Sequence, residues 1–164
     1  MRCSLKSTQA EVLVPAAVVR EMEAEAERHA PRETGGVLLG YSDRTNQRLM
    51  QITLQVGPGR QAVHGSHRFD PDGEWQVRQV ATAYAASGRV STYLGDWHSH
   101  PRGSHRPSGL DRSTARRIAL CKEARAPHPL ILILHGGPGD WRLAVYRRRR
   151  WRLGRSKATI TETS

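Results

Sequence analysis

"WHSHPRGSHRPSGLD", residues 97–111, sets two histidines one residue apart, then a serine, then an aspartate three residues beyond it. The preceding "RVSTYLGDW" (89–97) reads as a strand. Residues i and i+2 of a strand share a face, so His98 and His100 project together from its end. Pro101 stops the strand, and "RGSHRP" loops over to Ser108. A serine that opens an amphipathic stretch is a helix N-cap, and an aspartate in the first turn suits the helix dipole. Leu110, Thr114, Ile118 and Cys121 then form the expected inner stripe. The stretch therefore reads as strand, loop and helix, with four polar side chains gathered at the junction.

Outward from this junction the chain alternates strands and helices. "EVLVP" (11–15) is an expected strand, and Val18, Met22 and Ala26 repeat at helical spacing until the helix ends near Pro31. "TGGVLLGY" (34–41) and "RLMQITLQV" (48–56) read as a hairpin across the turn "SDRTNQ". Residues 57–67 are loop by composition, and Asp70 before Pro71 marks a helix start. That helix carries Val77, Val80, Ala81 and Tyr84 on one stripe and closes at Ser87-Gly88. "PLILILH" (129–135) is a continuous apolar run, the mark of a strand covered on both faces, and "DWRLAVY" (140–146) pairs with it through "GGPG". The order βαββαβαββ predicts an α/β (mixed α+β) fold in one domain, a mixed sheet with helices packed on it. The expected bounds are a flexible N-terminus at 1–10, a domain at 11–153 and a flexible tail at 154–164, since "GRSKATITETS" has few apolar residues to pack.

Composition narrows the class. With 164 residues the chain can bury a core without staples. The longest aliphatic run, "LILIL" at 130–134, is far too short to span a membrane, and the N-terminus lacks the apolar stretch of a secretory signal, so a cytoplasmic location is expected. Cys3 and Cys121 do not make a disulfide framework; Cys121 is expected to pack in a helix. The net charge of +11 favours acidic partners, nucleic acid or an acidic protein surface, and equally keeps a soluble protein dispersed.

Two readings of the junction stand side by side. Ser108 and Asp111 can be helix capping alone, and the histidines two half-buried strand-end residues. Alternatively, two imidazoles and one carboxylate make three ligands suited to zinc, with a fourth position left for water, as in catalytic zinc sites. Capping and coordination are compatible, because a serine that holds the helix start fixes where Asp111 points.

His-x-His, seven residues, Ser-x-x-Asp resembles the JAMM motif of MPN-type metalloproteases, and "PRETGGVLLG" (31–40) resembles the segment that carries the family's catalytic glutamate. The resemblance covers residues 11–146 in outline and is specific at these two motifs. It implies a three-layer, cytidine-deaminase-like architecture, Zn²⁺ held by His98, His100 and Asp111, Glu33 as general base and Ser108 as oxyanion stabiliser. It also implies a substrate: the bond that follows the C-terminal tail of a ubiquitin-like protein, in a conjugate or a precursor, with conjugation-system proteins as partners. "WHSHP…RPSGLD" after "YLGD" is similar to peptidases of bacterial ubiquitin-like conjugation systems, antiphage defence operons included. Two alternatives share the fold, a RadC-like DNA-associated protein and a catalytically silent MPN scaffold. Zinc deaminases are set aside because their Pro-Cys-x-x-Cys element is absent. Asp96 either orients a ligand imidazole or is a plain strand-end carboxylate, Trp97 is expected in the core, His105 is an exposed loop residue, and "RRRR" (147–150) is either a solvated edge or a docking patch.

Overall fold

The computed structural model describes residues 10–43 and 48–162. The expectations for residues 1–9, Cys3 among them, and for the centre of the 42–47 turn lie outside the described residues. The elements run β1 (Glu11–Pro15), α1 (Ala16–His29), β2 (Gly35–Ser42), β3 (Leu49–Val56), β4 (Val63–His64), β5 (Phe69–Asp70), α2 (Gly73–Ala86), β6 (Thr92–Pro101), α3 (Gly109–Leu120), β7 (Leu130–Gly137), β8 (Asp140–Arg149), β9 (Arg152–Arg155) and β10 (Lys157–Thr161). Eight strands form one mixed sheet in the order β10-β1-β3-β2-β6-β7-β8-β9, while β4 and β5 form a separate two-stranded sheet. No helix among the described residues is long and apolar enough to cross a membrane.

The apolar run of β7 explains the layering. Leu130, Leu132 and Leu134 face one way and pack with Val18, Val19 and Met22 of α1. Ile131 and Ile133 face the other way and pack with Ala115 and Ile118 of α3. Strand periodicity thus feeds two cores, which is why the run does not alternate with polar residues. The connection β6-α3-β7 joins parallel neighbours through a helix that packs back on the sheet. On this same face α2 and α3 flank a cleft, so the chain has helices on both sides of its sheet, as the three-layer expectation required.

β2 lies between β3 and β6, antiparallel to both. Its glycines are required by close approach: a Cβ on Gly36 would sit 2.0 Å from the Val56 carbonyl oxygen and 2.7 Å from Trp97 Nε1. The indole of Trp97 is in the core as expected, 1% exposed, and donates to Gln55 Oε1.

Several expectations need correction. Of the expected tail at 154–164, residues 157–161 are not loose: β10 pairs in parallel with β1 from Glu11↔Lys157 to Pro15↔Thr161. Glu11 accepts hydrogen bonds there from Lys157 and Thr159 at 3.0 and 2.6 Å, so backbone pairing and polar side chains supply what apolar burial does not. The second helix starts at Asp72, whose side chain caps Trp75 N, and not at Asp70, which lies in β5 and pairs with Arg68. Its expected stripe is displaced: Val77 is 69% exposed, and buried Gln76 faces inward to donate to the Gly57 carbonyl. In α3, Asp111 and Ala115 are the buried residues while Leu110 is exposed, as is Cys121, which follows the helix as its C-cap. The basic run is no simple solvated edge either, since β8 extends to Arg149 and Arg147 is buried.

Candidate metal centre

Four of the five expected site residues meet where β6 ends and α3 begins. His98 Nε2 lies 3.0 Å from His100 Nε2 and 3.1 Å from Asp111 Oδ1, and His100 Nε2 lies 3.7 Å from Asp111 Oδ2. Among the described residues, these three form a group whose ligand atoms all fall within 4.8 Å of one another. The strand brings the imidazoles to one face and the first turn of α3 lowers the carboxylate between them.

The donor chemistry suits a divalent cation. His100 Nδ1 lies 2.8 Å from the Ser104 carbonyl oxygen, so this nitrogen carries the proton and Nε2 presents a lone pair toward His98 and Asp111. Burial, with His98 alongside, lowers the His100 pKa and keeps its ring neutral. Burial alone would raise the Asp111 carboxyl. His98 and the donors of Ser108 outweigh it and hold Asp111 well below the ordinary carboxylate range. Two imidazoles and a persistent carboxylate are a hard-to-borderline donor set, which fits zinc among the common divalent ions.

Ser108 and Asp111 form a reciprocal capping box. Ser108 N donates to Asp111 Oδ2 at 2.5 Å, and Asp111 N donates to Ser108 Oγ at 3.2 Å. The Ser108 hydroxyl uses only its acceptor side in this arrangement. The residue is exposed, so its O–H remains available to a substrate oxygen.

Glu33 comes from a distant segment, the loop between α1 and β2, and lines the same cleft as His98 and Asp111. Burial raises its pKa; His98 and His67 pull it back, and Asp111 adds to the rise. Its backbone is held from both sides. Glu33 N donates to the Gly65 carbonyl at 2.8 Å, and its own carbonyl lies 3.0 Å from His64 Nδ1. The next residue, Thr34, is buttoned to β6 through Thr34 N to Ser99 Oγ and Ser99 N to Thr34 O. His64 in turn stacks on His29 with ring centroids 3.7 Å apart. His64 was not legible as part of the site, because it stands 31 residues from Glu33 in a loop and shares no motif with it.

Asp96 lines the cleft, but its hydrogen bond comes from the Tyr93 hydroxyl at 2.7 Å and not from an imidazole. Burial raises the Asp96 pKa. His105 stays in the loop but is half-buried there, its ring 5.6 Å from that of His135 and outside the three-ligand group. The cleft has a volume of about 300 Å³ and is bounded by the β4–β5 sheet on one side and α3 on the other.

A mixed sheet carrying a His-x-His strand end against an aspartate on the following helix is the arrangement that the resemblance to JAMM/MPN-type metalloproteases implied. Residues 15–154 match the Prok-JAB family, the prokaryotic homologs of the JAB domain, and the chain belongs to that family. It is similar to the probable metalloprotease y4qB of Sinorhizobium fredii, 40% identical over 131 residues that cover 79% of each chain. It is also similar to a CD-NTase/cGAS isopeptidase of Enterobacter hormaechei, 28% identical over 135 residues, covering 82% of this chain and 73% of that one. A second CD-NTase/cGAS isopeptidase, from Vibrio cholerae, is 28% identical over 130 residues, or 79% and 78% of the two chains. The solution structure of a Desulfitobacterium hafniense protein shares the fold at a TM-score of 0.70 and 19% identity, covering 93% and 94% of the two chains.

Proposed function

We propose that this chain is a zinc-dependent isopeptidase that cuts after the C-terminal tail of a ubiquitin-like protein, releasing it from conjugates or from a precursor. One observation carries the reading: three ligand atoms converge beside a cleft that Glu33 also faces. All three ligands are retained, which speaks against a silent scaffold. The names of the relatives, metalloprotease and isopeptidase, support the reaction class.

Zinc, when bound, lowers the pKa of a water from 15.7 to about 7 and polarises a carbonyl. The chain's own residues supply the rest. Glu33 takes the proton released as water attacks the scissile carbonyl carbon, and returns it to the departing amine nitrogen, without which an amide does not leave. The Ser108 hydroxyl donates to the carbonyl oxygen as negative charge builds on it. Ser104 fixes the His100 ring, and the β4–β5 segment fixes Glu33. An extended, glycine-ended tail fits a narrow cleft flanked by a short two-stranded sheet, to which it can add as a strand. The partners this implies are the enzymes and targets of a conjugation system, antiphage systems being one setting, and the compartment is the cytoplasm.

The test is a cleavage assay. Zinc-loaded protein is given a ubiquitin-like protein joined through its C-terminal glycine to a lysine side chain or to an extension, and the products are weighed by mass spectrometry. A fragment ending at that glycine, lost on chelation and restored by zinc, is expected. Intact substrate with several ubiquitin-like proteins and a fully metallated enzyme overturns the reading.

A further inference from the structure

Between Asp140 and Glu162 the chain carries seven arginines and one lysine and no acidic residue. The fold gathers the densest part of that segment into one place. β8 and β9 pair antiparallel with Arg149 opposite Arg152, so the turn between them is Arg150-Trp151. Arg150 takes φ +45°, as a tight turn demands, and Trp151 is 91% exposed at the apex. Arg149, Arg150 and Arg152 are exposed around it. Like charges directly opposite each other on a sheet are destabilising, as is an indole in water, and neither feature serves the core.

The position of this hairpin separates it from the cleft. In register, His98 stands level with Ile133 and Ala144, and β8 runs from there away from the ligands. From Ala144 to Arg149 is five residues, or roughly 17 Å along the strand, with two further strand spacings sideways. The cationic tip and the metal centre are therefore at opposite ends of the sheet, and a ligand can hold one without obstructing the other. The loop that enters β7 meets the hairpin at this same end, where Arg148 N donates to the Pro129 carbonyl.

We propose that the β8–β9 tip is a binding site for single-stranded nucleic acid, with Trp151 stacking on a base and Arg149, Arg150 and Arg152 clasping the flanking phosphates. Guanidinium groups match phosphate oxygens in pairs, and one aromatic plane serves any unpaired base. A lipid surface is the weaker fit. Interfacial anchoring needs an apolar wedge, and the next apolar residue, Leu153, packs inward on the Ala115–Tyr146 core. The site would tether the peptidase to nucleic-acid-bound conjugates while the cleft stays open.

The full-length zinc-loaded protein is titrated with fluorescein-labelled oligothymidylate by anisotropy across a salt series. With three to four phosphates engaged, log K is expected to fall against log salt with a slope of about −2 to −3. Reversing the tip (Arg149→Glu, Arg150→Glu, Arg152→Glu) should weaken binding at least ~30-fold at physiological salt. Trp151→Ala should weaken it about 10-fold and abolish oligonucleotide quenching of tryptophan fluorescence. Peptidase turnover and thermal stability of these variants should match the parent, which separates this proposal from the reading of the cleft. A control triple, Arg20→Glu, Arg60→Glu and Arg78→Glu, makes the same change in net charge on other exposed positions and should bind within about threefold of the parent if the tip is the site. Equal loss in the control, unchanged binding by the tip variants, or capture by phosphatidylglycerol vesicles without oligonucleotide binding would each overturn the proposal.

Discussion

Ser108 caps α3, and its proposed second role, as donor to the oxyanion, can be separated from the first by two substitutions. As N-cap its Oγ accepts from Asp111 N at 3.2 Å, while the reciprocal bond from Ser108 N to Asp111 Oδ2 is made by the backbone. Ser108→Ala therefore deletes one capping bond and the hydroxyl donor but keeps the bond that aims Asp111. Losing a serine cap to alanine costs about 1 kcal/mol, whereas glycine at an N-cap costs only a few tenths. For a chain of this size 1 kcal/mol is about 2–4 °C in Tm. The alanine variant should thus melt about 3 °C lower and the glycine variant within about 1 °C of the parent. Turnover should not follow this order. If the hydroxyl donates to the developing oxyanion, both variants lose the same interaction and both fall by ~10²–10³ in kcat. Zinc content, measured by mass spectrometry of the purified protein, should stay near one equivalent in each. Differential scanning calorimetry and a cleavage assay on the same preparations suffice. If kcat tracks Tm, with the glycine variant nearly as active as the parent, Ser108 is a cap and nothing more, and its assignment to the reaction fails.

The remaining predictions concern the surroundings of that serine. Glu33→Gln should keep zinc and abolish turnover. Because burial raises the Glu33 pKa, the folded state resists its charge; metal-free protein loses stability as pH rises through that pKa, and the glutamine variant should melt higher than the parent at neutral pH. Equal melting of the metal-free proteins across that window would contradict the burial argument. Asp111→Ala should lose its metal, and metal content like the parent's would reduce Asp111 to a capping residue. His64→Ala frees the Glu33 carbonyl and should lower kcat by up to ~10² with zinc unchanged, while His64→Gln, which retains a donor, should recover part of it. Deleting residues 157–164 strips β1 of its parallel partner and should cost roughly 2–4 kcal/mol, visible as a drop of about 10 °C in Tm or as aggregation through the bared edge.

The sheet was legible wherever apolar burial decides the structure. β7 is buried on both faces, and its run of five aliphatic residues says so directly. It was illegible where polar groups do that work: β10 is held by backbone pairing and by Glu11, and no hydrophobic pattern marks it. The misread helix faces have the same origin. In α3 the sequence pattern puts Leu110, Thr114 and Ile118 inward; the fold keeps Ile118 on the inner side but buries Asp111 and Ala115 there and leaves Leu110 exposed. A carboxylate takes the inner place of the first turn, where it accepts from Ser108 N and meets His98, and the leucine beside it is left 54% exposed. α2 likewise borders the cleft and not the core, so a glutamine with a hydrogen-bonding task displaces the valine from its inner face. Local patterning therefore fails beside the site for a physical reason. An apolar stripe predicts which way a helix faces only where apolar burial decides the packing, and beside this cleft polar contacts of Asp111 and Gln76 take the inner positions. The same rule explains why Glu33 could be found only by family resemblance: the groups that aim it are His64, Gly65 and Ser99, which are neighbours in the fold and not in the chain.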